Sequence, residues 1–568
     1  MAYPAIAPKA FQTPLRTRLL SADNLIIALF AGLALLGTLR HEMWMDELQA
    51  WMIARESSSL GELLSNLRYE GHPIGWYLVL YGLNWITPNP IVMQIAHWLI
   101  TVAGVAVLTK LSPFSWRQKL LLSFGYFTFF EYGVISRGYS LCQLVIFLFC
   151  ALYCLPLRIS PGQKPEQSGK VTGWLMRHRV GVLAGLLAVA ANLSAYGLLL
   201  SGALALLLVA EWFEDWRAAS ERPAAIRAMN RRSAVGAVAL LVAGWLVSAL
   251  QIIRPVHNNE YVRSVGDFSI ETAQTPSLAE NIRYLAAVIS NIWKSYGPMP
   301  MPQIDFWESN LLSSNDSLPE VAGQTLGDLG ALLLSVGLLA IALFYFSKKP
   351  LVAWVYGLGN AFILTFNFLF WMGVIRHHGH LFVLLVACFW IFLARGGAGE
   401  ASTSRRQWGL SASFFLTLIL SLQMIGGVYA FSIEVLYPFS QSRATAAYIQ
   451  ENGLDQLPIL GEDRDTSVLA GYLNRPFYYL NRQEIGTFWQ MEVPYGVPEP
   501  ERIEQLRQGL TQVEGDRVLV ILKSPLALRS LAGVALEPLA HFNTPMIYRP
   551  EVFYLYLAQR SAPDGGSA

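Results

Sequence analysis

Two adjacent carboxylates, Asp46 and Glu47, stand between Trp44 and Trp51, directly after the first long apolar stretch of the chain. A carboxylate where hydrocarbon meets water costs several kcal/mol, on the order of other ionisable groups at membrane depth, unless it is paired or used. Such a group can take the proton of an attacking hydroxyl. It can equally begin a helix, because the dipole favours acids in the first turn.

Other ionisable residues fall where the apolar stretches end on the same side: Arg40, His41, Glu70, His72, Glu131, Arg137, Arg254, His257 and the run Arg376-His377-His378-Gly379-His380. Arginine offers phosphate a planar fork of donors, and histidine adds short-range donors. Carboxylates and phosphate-binding cations at one lipid–water boundary suit transfer of a sugar from a lipid phosphate. The carboxylate accepts the acceptor hydroxyl's proton, and the cations stabilise charge on the departing phosphate.

Each residue also has a plainer reading. Glu47 orients Asp46, binds the acceptor, or faces water. His72 touches substrate or caps a short helix, with Glu70 as its partner. Arg137 holds phosphate or forms a salt bridge to Glu131 or Asp46. Arg254 and His257 close over a head group or snorkel to the interface. Spacings of one and two residues make His377, His378 and His380 a poor closed metal site. Trp44, Trp51 and Trp76 anchor the interface or stack on a sugar.

The elements that must carry these residues follow from composition. Of 568 residues, 54% are hydrophobic and 14% charged, with net charge +2 and mean hydropathy +0.39. Soluble domains carry about 25% charged residues, so this is a polytopic membrane protein. The near-neutral charge argues against a nucleic-acid partner. Cys142, Cys150, Cys154 and Cys388 lie in apolar stretches without CxxC spacing and read as buried hydrophobes.

Lys9, Arg16 and Arg18 precede the apolar residues 24–39 and keep that end in the cytoplasm. With no small-x-small cleavage pattern, the segment reads as an uncleaved anchor. Residues 40–72 then form a first outer loop. Leu60, Leu63, Leu64 and Leu67 predict an amphipathic helix, Ser59 with Glu62 a capping box, and the loop two short helices on the membrane surface. Residues 73–86 are short for a span. Further spans are expected at 91–111, 120–135, 141–157, a hairpin within 180–212 folded at 192–196, 235–253, 326–346, 352–374, 381–393 and 410–431. That makes about eleven crossings plus one short segment, within a GT-C-like count of 11–12. Basic loops at 158–179, 217–232 and 395–406 read as cytoplasmic, and 254–324 as a second large outer loop.

Residues 436–568 are polar enough to form a small outer α/β domain, and residues 1–435 form the transmembrane domain. Strands are expected at 458–460, 477–480, 518–522 and 552–557, with helices at 442–450 and 503–507. Glu462-Asp463-Arg464-Asp465 reads as a cation site or a solvated turn.

Asp46-Glu47 after the first span, Gly71-His72-Pro73-Ile74 opening the next segment, and Ser136-Arg137-Gly138-Tyr139 beyond it resemble the GT-C glycosyltransferases. That superfamily includes protein O-mannosyltransferases and aminoarabinose transferases of lipid A. Ala191-Asn192-Leu193-Ser194-Ala195-Tyr196 is similar to their hairpin turn. The resemblance spans residues 25 to 430. It implies a polytopic helical fold with a soluble outer domain, Asp46 as catalytic acid with Glu47 as neighbour, and a polyprenyl-phosphate or diphosphate sugar donor. Relatives often carry two prolines after the histidine, where this chain has Pro73-Ile74.

The expectation is therefore a hexosyl- or pentosyltransferase of the inner (plasma) membrane acting on the extracytoplasmic face. Asp46 and Glu47 are its catalytic candidates. Arg137, Tyr139, Arg254, His257, Arg376, His377, His378 and His380 are the phosphate-side candidates, and Glu70, His72 and Trp44 the acceptor or sugar candidates. No metal ligands are assigned; a divalent cation remains a possible helper. The acceptor is a lipid, glycan or protein. The rival readings are a transporter or flippase of lipid-linked saccharides, which should hold charges near the midplane in paired repeats, and a glycan-binding scaffold.

Overall fold

The computed structural model describes residues 21–155, 170–217, 224–253, 277–314, 319–321, 324–394, 403–462, 464, 466–490, 497–531 and 533–560. Arg254 and His257 lie outside them.

The first described helix is α1 (Ala22–Arg40), a largely apolar span capped by Ser21. Two short helices follow, α2 (Met45–Glu56) and α3 (Leu60–Asn66), then α4 (Gly75–Asn84) and α5 (Ile91–Leu111). At ten residues α4 is about 15 Å long, half a bilayer's hydrocarbon thickness. Next come α6 (Trp116–Ser123), a π-helical turn (Tyr126–Glu131) and α7 (Tyr139–Tyr153). The stretch expected as a span at 120–135 is thus a broken one, interrupted at Gly125 and buried throughout residues 126–131. Irregular backbone at this depth is tolerated only inside protein.

The remaining membrane helices are α8 (Lys170–Ala191), α9 (Ala195–Arg217), α10 (Ala224–Ile252), α12 (Leu326–Phe346), α13 (Pro350–Leu369), α14 (Ile375–Ala394) and α15 (Thr403–Leu436). Among the described residues eight helices are long and apolar enough to cross a membrane, and Tyr139–Tyr153 and His178–Ala191 are shorter apolar helices. The hairpin at 192–196 is present between α8 and α9. Helix α14 is the hub: 89% of its apolar window is buried, against 17% for Ser233–Ile252 of α10. It packs against α7, α9, α13 and the π turn, and against α11 (Leu278–Tyr296). Helix α11 sits in the region read as loop. Its signal was available: Ser277 and Glu280 form a capping box ahead of Val288, Ile292 and Tyr296, which are buried.

After α15 the chain forms α16 (Ser442–Glu451), α17 (Ser467–Leu473), α18 (Glu499–Gln512) and a seven-stranded sheet. A two-residue antiparallel pair, β1 (Glu320–Val321) with β2 (Gln324–Thr325), precedes α12. The large sheet has the order β5-β4-β3-β6-β9-β8-β7. Strand β3 (Ile459–Gly461) is parallel to β4 (Phe477–Tyr479) and to β6 (Arg517–Leu522). The other pairings are antiparallel: β5 (Glu484–Gly486) on β4, β9 (Phe553–Arg560) on β6, β8 (Val534–Phe542) on β9 and β7 (Ser530–Leu531) on β8. The four expected strands fall on β3, β4, β6 and β9. Strand alternation sets the two faces of β6. Val518, Val520 and Leu522 meet Leu506 and Leu510 of α18, whereas Leu519 and Ile521 join the core that continues into the membrane helices.

Three local expectations change. Helix α2 does not lie on a membrane surface. Leu48, Trp51, Met52 and Ile53 are wholly buried, because α4 packs on it from one side and α17 from the other. Glu62 turns its carboxylate to the Ser58 amide, 2.8 Å, while its own amide donates to Ser59, so the box closes one residue early. Ser442 is the first residue of α16 rather than its cap, and its hydroxyl donates to Glu551 at 2.7 Å.

Candidate functional site

Asp46 sits in the first turn of α2, where the backbone comes out of an extended segment at Trp44. Two acids fix that turn. Glu47 accepts from the Trp44 amide at 3.2 Å, and Glu551 of the C-terminal domain accepts from the Met45 amide at 2.6 Å. With its helix end held, Asp46 projects toward loop 136–138 and the start of α14. Its Oδ2 lies 3.0 Å from Arg137 Nη1 and 3.4 Å from Arg376 Nη2. Arg376 also pairs with Glu308. The result is an alternating chain, Arg137–Asp46–Arg376–Glu308. Side-chain exposures along it are 11%, 21%, 13% and 33%, so it is reachable without being solvated.

Rings frame the cluster. The Arg376 guanidinium lies 5.2 Å from the Trp44 ring and 5.3 Å from the Trp307 ring, and Arg137 lies 5.9 Å from Tyr139. Arginine prefers such stacked, weakly hydrated surroundings. The Tyr139 hydroxyl, the Trp44 indole N–H and Arg376 Nε are buried without a hydrogen-bond partner among the described residues. Burial pushes the Asp46 carboxyl up, but Arg137 first, then Arg376, His72 and Arg464, hold it below its usual range. The group is an ionised carboxylate at neutral pH. Burial lifts Glu308 above its usual range against the pull of Arg376.

Glu47, one residue on, has a different environment. Its carboxylate accepts from the Ser136 amide at 2.6 Å and pairs with His41 Nε2 at 2.8 Å. His41 Nδ1 meets Glu434 at 2.9 Å, and all three side chains are 0% exposed. Burial lowers the His41 pKa, but Glu47 and then Glu434 override it and raise it to about 10. His41 is therefore an imidazolium locked between two carboxylates, joining the ends of α1 and α15 to α2. The reading in which Glu47 faces water fails because its oxygens meet His41, Ser136 and Trp44.

The remaining candidates divide. His72 lies close enough to act electrostatically on Asp46, and it is half-buried. Close approach fixes that segment: a Cβ on Gly75 would stand 2.3 Å from the Asn192 carbonyl oxygen, and the Gly75 amide donates to that oxygen at 2.8 Å. Glu70 faces the C-terminal domain side, accepting from Gln49 at 3.0 Å, while Gln49 also bonds the Trp489 backbone.

The histidines belong to the first turn of α14, not to a loop, and all are buried. His377 takes the Val374 amide and stacks on Tyr196. His378 Nε2 meets the Met372 carbonyl, and His380 lies against the His377 carbonyl, Tyr132 and Ser194. His378 is held by the Met372 carbonyl, whereas His377 and His380 both pack edge-on against Tyr139, the ring beside Arg137. A Cβ on Gly379 would collide with the Tyr132 hydroxyl at 2.3 Å, so the turn presses on Tyr132.

Four residues at the site were not anticipated. Glu308 and Trp307 come from the segment between α11 and α12, and Arg464 and Glu551 from the C-terminal domain. No period or motif marks Trp307, Glu308 or Glu551 in the sequence, and Arg464 stood in a run read as a cation site or a solvated turn, not as a neighbour of Asp46. Of Glu462-Asp463-Arg464-Asp465, residues 463 and 465 lie outside the described residues. Glu462 accepts from the Lys523 amide at 2.7 Å and lies 3.7 Å from Arg502. Among the described residues no group of three or more His, Cys, Asp or Glu is placed to hold a metal ion.

No family model and no curated protein matches the chain. Among solved structures it is similar to ArnT from Cupriavidus metallidurans bound to undecaprenyl phosphate, with 13% identity, 94% of this chain and 97% of that chain covered, and a TM-score of 0.47. The apo state of the same ArnT gives 12% identity, 94% and 98% coverage, and a TM-score of 0.46.

Proposed function

We propose that the chain is a membrane glycosyltransferase that moves a sugar from a polyprenyl-phosphate carrier to an acceptor hydroxyl on the extracytoplasmic face. The observation that carries this reading is the convergence of Asp46, Arg137 and Arg376, from three distant segments, in one partly open cluster beside the ends of the spans. Two guanidinium forks meet at one oxygen of Asp46, Arg376 between Trp44 and Trp307 and Arg137 beside Tyr139, an arrangement that suits an arriving phosphate.

In the proposed step the acceptor oxygen attacks the anomeric carbon as the bond to the phosphate oxygen breaks. Asp46 takes the hydroxyl proton, and the lipid phosphate leaves with its electron pair toward Arg137 and Arg376. Glu47 acts only through position, by fixing the helix start and the amide of Ser136 beside Arg137. Tyr139 and Trp44 hold the arginine planes. Sidedness is supported by Lys119, Lys348 and Lys349 at the opposite helix ends, as expected for a cytoplasmic face.

Asp46→Asn keeps the shape of the side chain and removes its basicity. Transfer should fall by roughly 10²–10⁴, the usual range for a lost general base. The readout is mass spectrometry of envelope glycans from a deletion strain carrying the variant, with protein level measured alongside. A normal glycan at normal protein level removes Asp46 from the mechanism.

A further inference from the structure

The four charges of the cluster sum to zero: Arg137 and Arg376 against Asp46 and Glu308. A phosphate entering there brings one or two negative charges into a site with no net attraction for them. Among these four residues, one can leave at low cost. Glu308 is the most exposed, at 33%, and it sits in a loop, not a helix. Its backbone also has φ +67, a left-handed conformation uncommon for a residue with a side chain. Asp46 is held within a helical turn whose amides are pinned from both sides, and both arginines are stacked on rings.

We propose that Glu308 is an anion placeholder: its carboxylate occupies the Arg376 guanidinium in the lipid-free protein and is displaced by the carrier's phosphate, so that it sets the threshold for donor binding. This rests on the reading of Arg376 as a phosphate ligand. Glu308 then has a defined competitive role. It keeps Arg376 folded against Trp44 and Trp307 when no lipid is present, and it rejects anions that bind too weakly to expel it. Its neighbour Trp307 is anchored independently, donating to Glu131 at 3.0 Å, so the side chain of Glu308 can swing out while the ring beside Arg376 stays. With Glu308 gone the local sum becomes +1, which matches an incoming phosphate monoester or diester.

The test measures binding of undecaprenyl phosphate to the full-length protein in detergent, for wild type, Glu308→Gln, Glu308→Gly and Arg376→Gln. Glycine adopts φ +67 without strain, so the second variant deletes the carboxylate even if glutamine packs badly. The proposal expects both Glu308 variants to bind about tenfold tighter than wild type, since a like charge beside the phosphate is removed. It expects Arg376→Gln to bind more weakly. Glu308 variants that match wild type, with Arg376→Gln weakened, overturn the placeholder and leave the transferase reading intact. Glu308 variants that bind more weakly make Glu308 a ligand and also overturn it. If Arg376→Gln binds as wild type does, the phosphate is elsewhere and both readings fail.

Discussion

Asp46 and Glu47 are neighbours in sequence with the same chemistry, yet the fold treats them in opposite ways. Glu47 is sealed with His41 and Glu434 at 0% exposure, in a clamp joining residues 393 apart in sequence. Asp46 is 21% exposed and pairs with two arginines, one of which also pairs with Glu308. On a helix successive side chains diverge by about 100°, so one turn can serve two surfaces. A sealed charge network holds geometry and cannot exchange partners; an open one can. The contrast suits Glu47 to structure and, in the proposed transfer, Asp46 to chemistry.

The strongest way to break this contrast is His41→Leu. It removes the cation between two buried carboxylates, which should cost about 3–5 kcal/mol of stability. Denaturant unfolding in detergent measures it. Asp46→Asn should cost less, because asparagine still accepts a hydrogen bond from Arg137 and Arg376 keeps Glu308 as its counter-charge. If the two variants destabilise equally, the division between clamp and cluster is wrong.

Next is Gly75→Ala. The new Cβ would meet the backbone oxygen of Asn192 at 2.3 Å, and backbone yields less readily than a side chain. Overpacking of this kind costs about 1–3 kcal/mol. Because the same segment carries His72 toward Asp46, transfer should fall further than stability alone explains. Activity compared at matched folded protein separates the two.

A smaller effect is expected from Arg376→Lys. Lysine keeps the charge but loses the planar fork and the stacking between Trp44 and Trp307. Undecaprenyl phosphate affinity should drop about tenfold, equivalent to roughly 1.4 kcal/mol. Unchanged affinity would mean that Arg376 contributes charge alone.

The sequence carried the spans and the acid pair because those depend on local pattern: apolar length, basic flanks, and acids at a helix start. Loop 136–138 and the α14 start were legible as cations at the ends of apolar stretches. What was hidden depends on three-dimensional closure. Nothing local tells Asp46 from Glu47, because the difference is made by His41 and Glu434 at two distant helix ends. Glu308 stands in a polar loop without period. Strand β8 escaped because Pro538 and the register shift beside it break the alternation, and β7 because two residues carry no period. The histidine run read as an exposed loop, since a helix start rich in histidine has no distinct pattern; packing against Tyr139, Tyr132 and Tyr196 decided its burial.

The finest test of the contrast is pH. The folded pKa of His41 is about 10, above its ordinary 6.5. Its stabilisation is therefore complete below about pH 6.5 and is lost as pH rises through about 10. Asp46 is shifted the other way, so its contribution is present above its ordinary value of about 3.9 and is lost as pH falls below it. Glu47 is lowered as well, by His41, so the clamp also weakens in acid. Only the clamp has an alkaline limb, since arginine does not deprotonate in this range. The difference in unfolding free energy between wild type and His41→Gln should shrink between pH 8 and 10, whereas the difference between wild type and Asp46→Asn should stay flat there and shrink only in acid. A flat alkaline limb for His41→Gln would mean that the imidazole is neutral in the folded protein, and the clamp would then be held by hydrogen bonds without charge.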